Sequence, residues 1–336
     1  MKRLPIQSVM FTLVFMGLLL VNGCSQENDK APTISAPPNE KIIKGVSLSP
    51  KSFQQTDFIN FFEKAEQTGG IVSWAGDWNE LSNTQTGGPT VIASLATNYH
   101  YTPLIEVQFF TQSTGQLLRQ LDKSTKQGYK NYVLAFAEKY KPKYLGLGIE
   151  INALYEKSPS NFENFASFFS EVYDEIKIKS PDTKIFTIFQ LEKMKGLNGG
   201  LFGGINNQSK TQWQLLERFS KSDITVFTTY PGLIYKHPSE IPSEYYTEIK
   251  SHTTKPIAFT EIGWHITSDP IGWESSDQEQ AEFITTFFDR TKDLNTKFVI
   301  WSFMYDQNTI EPFKSMGLRN DDDTARSAWD RWVTTK

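Results

Sequence analysis

From Lys44 onward the chain alternates short, β-rich apolar runs with longer helical patterns, and eight such runs can be counted. They are Lys44–Ser49, Gly70–Trp74, Pro103–Phe109, Tyr144–Glu150, Lys184–Gln190, Asp223–Tyr230, Pro256–Glu261 and Lys297–Phe303. Their starts lie roughly 25–40 residues apart, which leaves room for one crossover helix in each gap. Pro103 and Pro256 open their runs, where no ladder donor is needed. Strands that are apolar on both faces and alternate with helices belong in a parallel sheet. Eight such units within residues 44–336 predict an α/β fold of the (β/α)8 TIM-barrel type. An open doubly wound sheet fits less well. The first run ends Ser47-Leu48-Ser49-Pro50, without a glycine-rich phosphate-binding turn.

The intervening segments carry helical periodicity. Phe58, Phe61, Phe62 and Ala65 share one face of a helix predicted over Phe53–Gln67, and further helices are expected over Asn131–Tyr140, Gln278–Leu294 and Ala325–Val333. In Asn161–Lys179, Phe162, Phe165, Phe169, Val172 and Ile176 recur every three or four residues, and Ser160-Asn161-Phe162-Glu163 reads as a capping box. The glycine-rich stretch Asn198–Gly204 reads as a flexible insert after the fifth strand.

The N-terminus has a different composition. Lys2 and Arg3 precede the apolar stretch Val9–Val21, a basic region followed by a hydrophobic one, as in an export signal. The stretch is short for a membrane span. It leads into Leu20-Val21-Asn22-Gly23-Cys24, which resembles a bacterial lipobox. That resemblance implies a signal peptide over residues 1–23 and lipid attached at Cys24, the chain's one cysteine. An ordinary signal peptide with an incidental cysteine is the other reading. Residues 24–43 are polar and proline-rich and read as a tether, so the protein is expected to be exported and lipid-anchored, at the outer membrane in a two-membrane cell. A net charge of −4 with no basic stretch argues against nucleic acid as a partner. No cofactor or metal is expected: the four histidines lack ligand spacing, and Asp321-Asp322-Asp323 reads as a solvated turn. The chain is expected to be a monomer.

Barrel active sites form at the C-terminal ends of the strands, so the residues there matter most. A carboxylate closing a buried strand is costly unless a site uses it. Glu150 closes the fourth run and Glu261 the seventh. Around them stand Trp74, Asp77 and Trp78 of the second unit, Glu106 and Gln108 of the third, and Asn152 of the fourth. Gln190, Tyr230, Trp264 and Trp301 come from the fifth to the eighth. Amides and carboxylates hydrogen-bond sugar hydroxyls, and aromatic rings stack on the apolar faces of pyranoses. Glu106 is as readily an interior structural group as a ligand contact, Trp264 as readily a packing ring, and His265 a solvated loop residue.

With glutamates on the fourth and seventh strands, the chain resembles the clan A retaining glycoside hydrolases, which are (β/α)8 barrels. Thr260-Glu261-Ile262-Gly263-Trp264 resembles the nucleophile segment of the endo-β-1,4-galactanase and β-1,3-glucanase families, and Gly148-Ile149-Glu150-Ile151-Asn152 the galactanase acid/base segment. The stretch Ser180–Lys184 is also similar there. The resemblance implies Glu150 as general acid/base, Glu261 as nucleophile, Tyr230 as hydrogen-bond donor to that nucleophile, and Trp301 as the floor of the subsite where the bond breaks. It implies a polysaccharide or oligosaccharide substrate cleaved by double displacement. The chain departs from the pattern at two points. Ile149 stands where the clan usually carries Asn, and no Arg occurs between Arg3 and Arg119 to serve from the second strand. A non-catalytic glycan-binding lipoprotein on the same barrel is therefore the alternative.

Overall fold

The computed structural model describes residues 41–336. The predicted signal peptide, Cys24 and most of the predicted tether lie outside the described residues. Nine parallel strands build the barrel wall: β1 (Ile43–Ser47), β2 (Ile71–Asp77), β3 (Thr102–Gln108), β4 (Tyr144–Leu147), β5 (Lys184–Phe186), β6 (Ile188–Gln190), β7 (Thr225–Thr229), β8 (Ile257–Ile262) and β9 (Thr296–Trp301). The helices are α1 (Gln55–Thr68), α2 (Gly88–Leu95), α3 (Lys123–Tyr140), α4 (Ile151–Lys157), α5 (Pro159–Lys179), α6 (Leu191–Met194), α7 (Leu215–Arg218), α8 (Asp277–Thr291) and α9 (Ser327–Thr334).

The strand order is β5-β4-β3-β2-β1-β9-β8-β7-β6. Its two ends, β5 and β6, are halves of the one predicted run Lys184–Gln190, interrupted at Thr187. β5 pairs with β4 and β6 with β7, so the stave closes the wall and the barrel has eight staves, as the sequence predicts. Thr187 spans the break by donating its hydroxyl to the Gly148 carbonyl at 3.0 Å.

Alternation along the staves produces two cores. Leu104, Tyr144, Phe186, Ile188, Val226, Ala258, Phe298 and Ile300 fill the barrel interior. A larger layer lies between wall and helices, where Phe162, Phe165 and Phe169 of α5 and Phe283, Ile284 and Phe287 of α8 are buried. The path from β7 to β8 has only 3₁₀ turns instead of a long helix. Pro231, Pro238 and Pro242 interrupt any helical run there, and Tyr245, Tyr246 and Ile249 cover the wall instead. Tyr246 meets Phe259 edge-on at 5.7 Å and Phe287 at 5.0 Å.

Two local expectations change. α5 begins at Pro159 after Ser158 with no side-chain cap, because proline itself satisfies the first helical position. Glu163 pairs instead with Arg218. A capping box does form on α8, between Ser276 and Glu279. The Asn198–Gly204 stretch is a hydrogen-bonded loop closed by Gly204 N–H to Asn198 O at 2.7 Å, and its Leu201 and Phe202 pack toward Tyr230 and Leu233. After β9 the short strands β10 (Phe303–Tyr305) and β11 (Gly317–Arg319) pair with each other, and buried Arg326 fixes the loop between them through Asp306, at 2.8 and 2.9 Å.

Candidate active site at the C-terminal mouth of the barrel

Glu261 owes its position to a bulge. On β8, Ala258 faces the barrel interior and Phe259 faces the helices. Simple alternation would turn Glu261 outward with Phe259. The pairing shows an extra residue instead. Phe259 lies opposite Val299 and Ile262 opposite Trp301, three steps on β8 for two on β9. On the other side Phe227 pairs with Phe259, and the next residue, Thr228, pairs with Glu261. Ile262 thus returns to the outer core, and Thr260 and Glu261 are both left to the barrel side. Bulges beside active sites re-aim side chains in this way. Glu261 Oε2 accepts the Tyr230 hydroxyl at 2.6 Å, and that phenol lies 2.8 Å from Ser302 Oγ.

Glu150 sits three residues beyond its strand. β4 ends at Leu147, and Gly148 follows at φ +83°, a conformation natural to glycine. Its amide donates to Val107 O at 2.9 Å, and its carbonyl accepts from Ile188 N at 3.0 Å. Gln108 Nε2 holds the Ile149 carbonyl at 2.9 Å. Glu150 itself is left-handed, at φ 52° and ψ 44°, and it caps α4. A non-glycine residue in that region costs of order 1 kcal/mol or more and persists only where its surroundings fix it. The turn presents the carboxylate to the mouth, where Oε1 accepts the Thr228 hydroxyl at 2.7 Å.

The site is rich in carboxyl groups and poor in cations. Burial, then the Glu261 charge, pushes Glu150 up to about 7, with Thr228 opposing. Burial also raises Glu261, but the Tyr230 donor pulls it back. Tyr230 is pushed well above the usual phenol range by burial and by the neighbouring Glu261. Glu106, buried inside the barrel on β3, is pushed well above the carboxylate range by burial and the Glu261 charge. Its Oε2 has no partner. Glu192, at the start of α6, accepts from Thr229 Oγ1, Tyr230 N and Tyr245 OH through one oxygen. Lys193 draws Glu150 slightly down, but its ammonium is paired to Glu156 at 2.6 Å.

A cleft of about 540 Å³ opens beside Glu261, lined by Phe53, Phe58, Trp74, Glu80, Ser302 and Phe303 among others. Trp74 reaches it by lying against Gly76 and Gly88, where a Cβ would come within 2.4 and 2.0 Å of the indole. Trp78 does not reach it. That ring is fully buried, stacked on Tyr129 at 5.0 Å, with its N–H given to the Tyr129 carbonyl. Glu80, in the turn after β2, lines the cleft. Trp301 faces outward, packed on Phe283 and Trp332 with its N–H on Met316 O, because it lies opposite outward-facing Ile262. Phe303, two residues on, supplies the ring that borders the cleft. Trp264 is likewise fully buried, its N–H on Ser275 Oγ.

The polar residues divide similarly. Asp77 is held by Arg119, with both oxygens at 2.8 Å, and caps the turn after β2. Asn152 is fully buried and spends its amide on Gln190 O, Gln190 N and Gln212 Oε1, joining α4 to β6. Gln108 braces the turn that carries Glu150. Gln190 keeps a buried Oε1 without a partner. His265 is buried, with Nε2 2.9 Å from Trp273 O, rather than solvated. Ile149 packs in the barrel interior, so no polar group occupies that position. Thr228, Ser302, Phe303 and Glu192 were not singled out by sequence. Ser302 and Phe303 directly follow a noted residue, yet the two bulge irregularities that set their direction leave no mark in composition.

A closed eight-stave barrel with two glutamates at its C-terminal mouth defines the class of fold. No protein-family model matches the sequence, and no curated protein does either. Solved structures do match in fold, glycoside hydrolases among them. A family 5 (subfamily 18) structure from Streptomyces cattleya aligns with a TM-score of 0.63 at 14% identity, covering 87% of this chain and 79% of the other. The family 53 catalytic domain of Ignisphaera aggregans aligns with a TM-score of 0.59 at 15% identity, over 90% of this chain and 98% of that domain. A family 39 glycoside hydrolase from Bacteroides cellulosilyticus WH2 gives 0.59 at 15% identity, over 86% of this chain. The match spans 62% of that protein, and 58% of the exo-β-1,4-mannosidase from Opitutaceae bacterium strain TAV5, less than two thirds of either. At these identities the likeness is one of fold.

Proposed function

We propose that the barrel is a retaining glycoside hydrolase acting on β-linked glycans outside the cytoplasm, anchored through lipid on Cys24. The observation that carries this reading is the paired environment of Glu150 and Glu261. The first is raised to about 7 and feels the charge of the second, while the second receives a phenolic hydrogen bond. Environments that separate two carboxyl groups in this way assign one as acid and the other as base or nucleophile. Glu261 attacks the anomeric carbon as the neutral Glu150 carboxyl gives its proton to the leaving oxygen. This forms a glycosyl ester on Glu261 and frees the aglycone alcohol. Glu150, now a carboxylate, takes a proton from water as that water attacks the anomeric carbon and breaks the ester. The mechanism calls for carboxyl groups about 5–5.5 Å apart.

The test is mechanism-based trapping. A 2-deoxy-2-fluoro β-glycoside with a good leaving group should leave a glycosyl adduct on the peptide containing Glu261, read by mass spectrometry. No adduct and no turnover on β-glucans, galactans, mannans and xylans, with retained binding, would favour the second reading. That reading is a non-catalytic glycan-binding lipoprotein, and interior Ile149 supports it.

Two expectations follow from the geometry. Tyr230→Phe removes the donor on Glu261 and raises the pKa of that carboxyl. The acid limb of the pH–rate profile, where Glu261 must ionise, then moves to higher pH, and kcat falls about 10–100-fold. An unmoved acid limb would detach Tyr230 from the nucleophile. The charged side chains lining the cleft are Glu80 and Glu261, with no Lys or Arg. Neutral β-glycosides should therefore exceed the matching uronides in kcat/KM by about tenfold or more, which a pair of aryl glycosides would measure.

A further inference from the structure

The Tyr230 phenol meets more oxygens than it has protons to serve. It lies 2.6 Å from Glu261 Oε2 and 2.8 Å from Ser302 Oγ, and Ser302 Oγ in turn lies 2.9 Å from the Ile262 carbonyl. Two hydroxyl protons are thus shared among three oxygen–oxygen contacts. The charge on Glu261 decides how. A carboxylate has no proton to give, so the phenol donates to it. At 2.8 Å the phenol oxygen and Ser302 Oγ then repel unless the serine hydroxyl donates to the phenol. Turning that hydroxyl away from Ile262 leaves no orphan, because the Ser302 amide also donates to the same carbonyl at 3.0 Å. Ser302 is held for this contact. It is buried, and it directly follows the β9 residue that pairs with Ile262 beyond the bulge in β8. Burial and then the Glu261 charge raise the Tyr230 phenol, and Ser302 acts against them, as a donor to the phenol oxygen does.

We propose that Ser302 is a positioning residue for Glu261: its hydroxyl orders the Tyr230 phenol into a chain that runs from Ser302 through Tyr230 to the carboxylate, and that reverses when Glu261 is neutral. In the reversed chain Glu261 donates to the phenol oxygen, Tyr230 to Ser302 Oγ, and Ser302 to the Ile262 carbonyl. Each group keeps its own proton and only turns. While Glu261 is charged, the successive bonds polarise one another and tighten the phenol on the carboxylate. The consequence for catalysis rests on the reading of Glu261 as nucleophile. The chain is strongest on the free carboxylate and weakens when the glycosyl ester consumes the charge, so it favours the carboxylate as leaving group when water breaks that ester. The titratable groups that face Glu261 are Tyr230, Glu106 of β3 and Glu150 beyond β4, and Glu80 borders the same cleft.

Carboxyl carbon NMR of protein labelled at glutamate Cδ follows the ionisation of Glu261 without turnover, its resonance assigned by its loss in Glu261→Gln. The titration is run in the Glu150→Gln background, so that the Glu150 charge does not divide it into two steps. Ser302→Ala should raise the Glu261 midpoint by about 0.3–0.6 pH unit, and Tyr230→Phe by about one to two. Ser302→Ala added to Tyr230→Phe should move the midpoint no further, because the serine acts through the phenol. A midpoint unchanged by Ser302→Ala would overturn the proposal, and so would a shift of equal size with and without the phenol. A serine that only packs would lower the melting temperature and leave the midpoint alone. Trapping on Glu261 reads the proposed function separately. No adduct together with a Ser302-dependent midpoint would remove the nucleophile and keep the chain, and an adduct with an unmoved midpoint would do the reverse.

Discussion

Glu261→Gln is expected to lower hydrolysis of β-glycans by about 10⁴-fold or more, because an amide oxygen cannot form the glycosyl ester and removal of a nucleophile eliminates the pathway itself. The folded state should survive the change. Glu261 is partly open to the cleft, and the amide oxygen of Gln can still accept the Tyr230 hydroxyl. A sharper version uses Glu261→Ala with azide. The small anion enters the vacated volume and attacks the anomeric carbon from the face the carboxylate used, giving a glycosyl azide of inverted configuration. Rescue with that stereochemistry identifies Glu261 as the nucleophile. An active Glu261→Gln variant would sink the double-displacement assignment and leave the glycan-binding reading in possession.

Glu150→Gln should separate catalysis from stability in opposite directions. Hydrolysis of substrates with poor leaving groups should drop about 10²–10⁴-fold, the usual contribution of a general acid. The alkaline limb of the wild-type profile should fall near pH 7, where the acid loses its proton. The fold should gain. A carboxyl whose pKa rises from the ordinary 4.5 to about 7 binds its proton more tightly folded than unfolded. The wild type therefore loses stability as pH climbs from about 4.5 to 7 and keeps that loss above it. Gln never ionises, so at pH 8 the variant should be more stable by about 1–3 kcal/mol, a gain that vanishes below pH 4.5. Paired thermal melts at pH 4 and pH 8 decide it. A variant less stable at pH 8 would mean that the Thr228 bond to the charged form outweighs the cost of burying it. Buried Glu106, raised in the same sense, supports the same trend.

The fold was legible because it rests on periodicity. All eight predicted runs became staves, and even the interrupted fifth kept its place, since β5 and β6 each pair with the expected neighbour. The two glutamates were legible for a related reason, because a charge closing an apolar run stands out in any alternating pattern. The surrounding rings were not. Trp78, Trp264 and Trp301 are apolar enough to face either side of a wall that is buried on both faces, and their direction depends on local register. The amides misled similarly: Asn152 and Gln108 sit at the mouth but spend their hydrogen bonds on the backbone that carries Glu150 and Gln190. Side-chain chemistry read from sequence gives what a group can do and says nothing of which neighbour already occupies it.

The extra residue in β8 makes the direction of Glu261 a matter of counting. Counted by strict inside–outside alternation from Phe259, Glu261 would fall on the helix side, toward Phe283 and Phe287 of α8; the bulge keeps both Thr260 and Glu261 on the barrel side. Any procedure that transfers this strand to another barrel, or threads a distant relative onto it by inside–outside alternation, therefore has to carry the irregularity along with the residue. A match of letters alone would graft a glutamate into an oily seam. In this strand the direction of Glu261 is set by register, and only a count that includes the extra residue places it at the mouth.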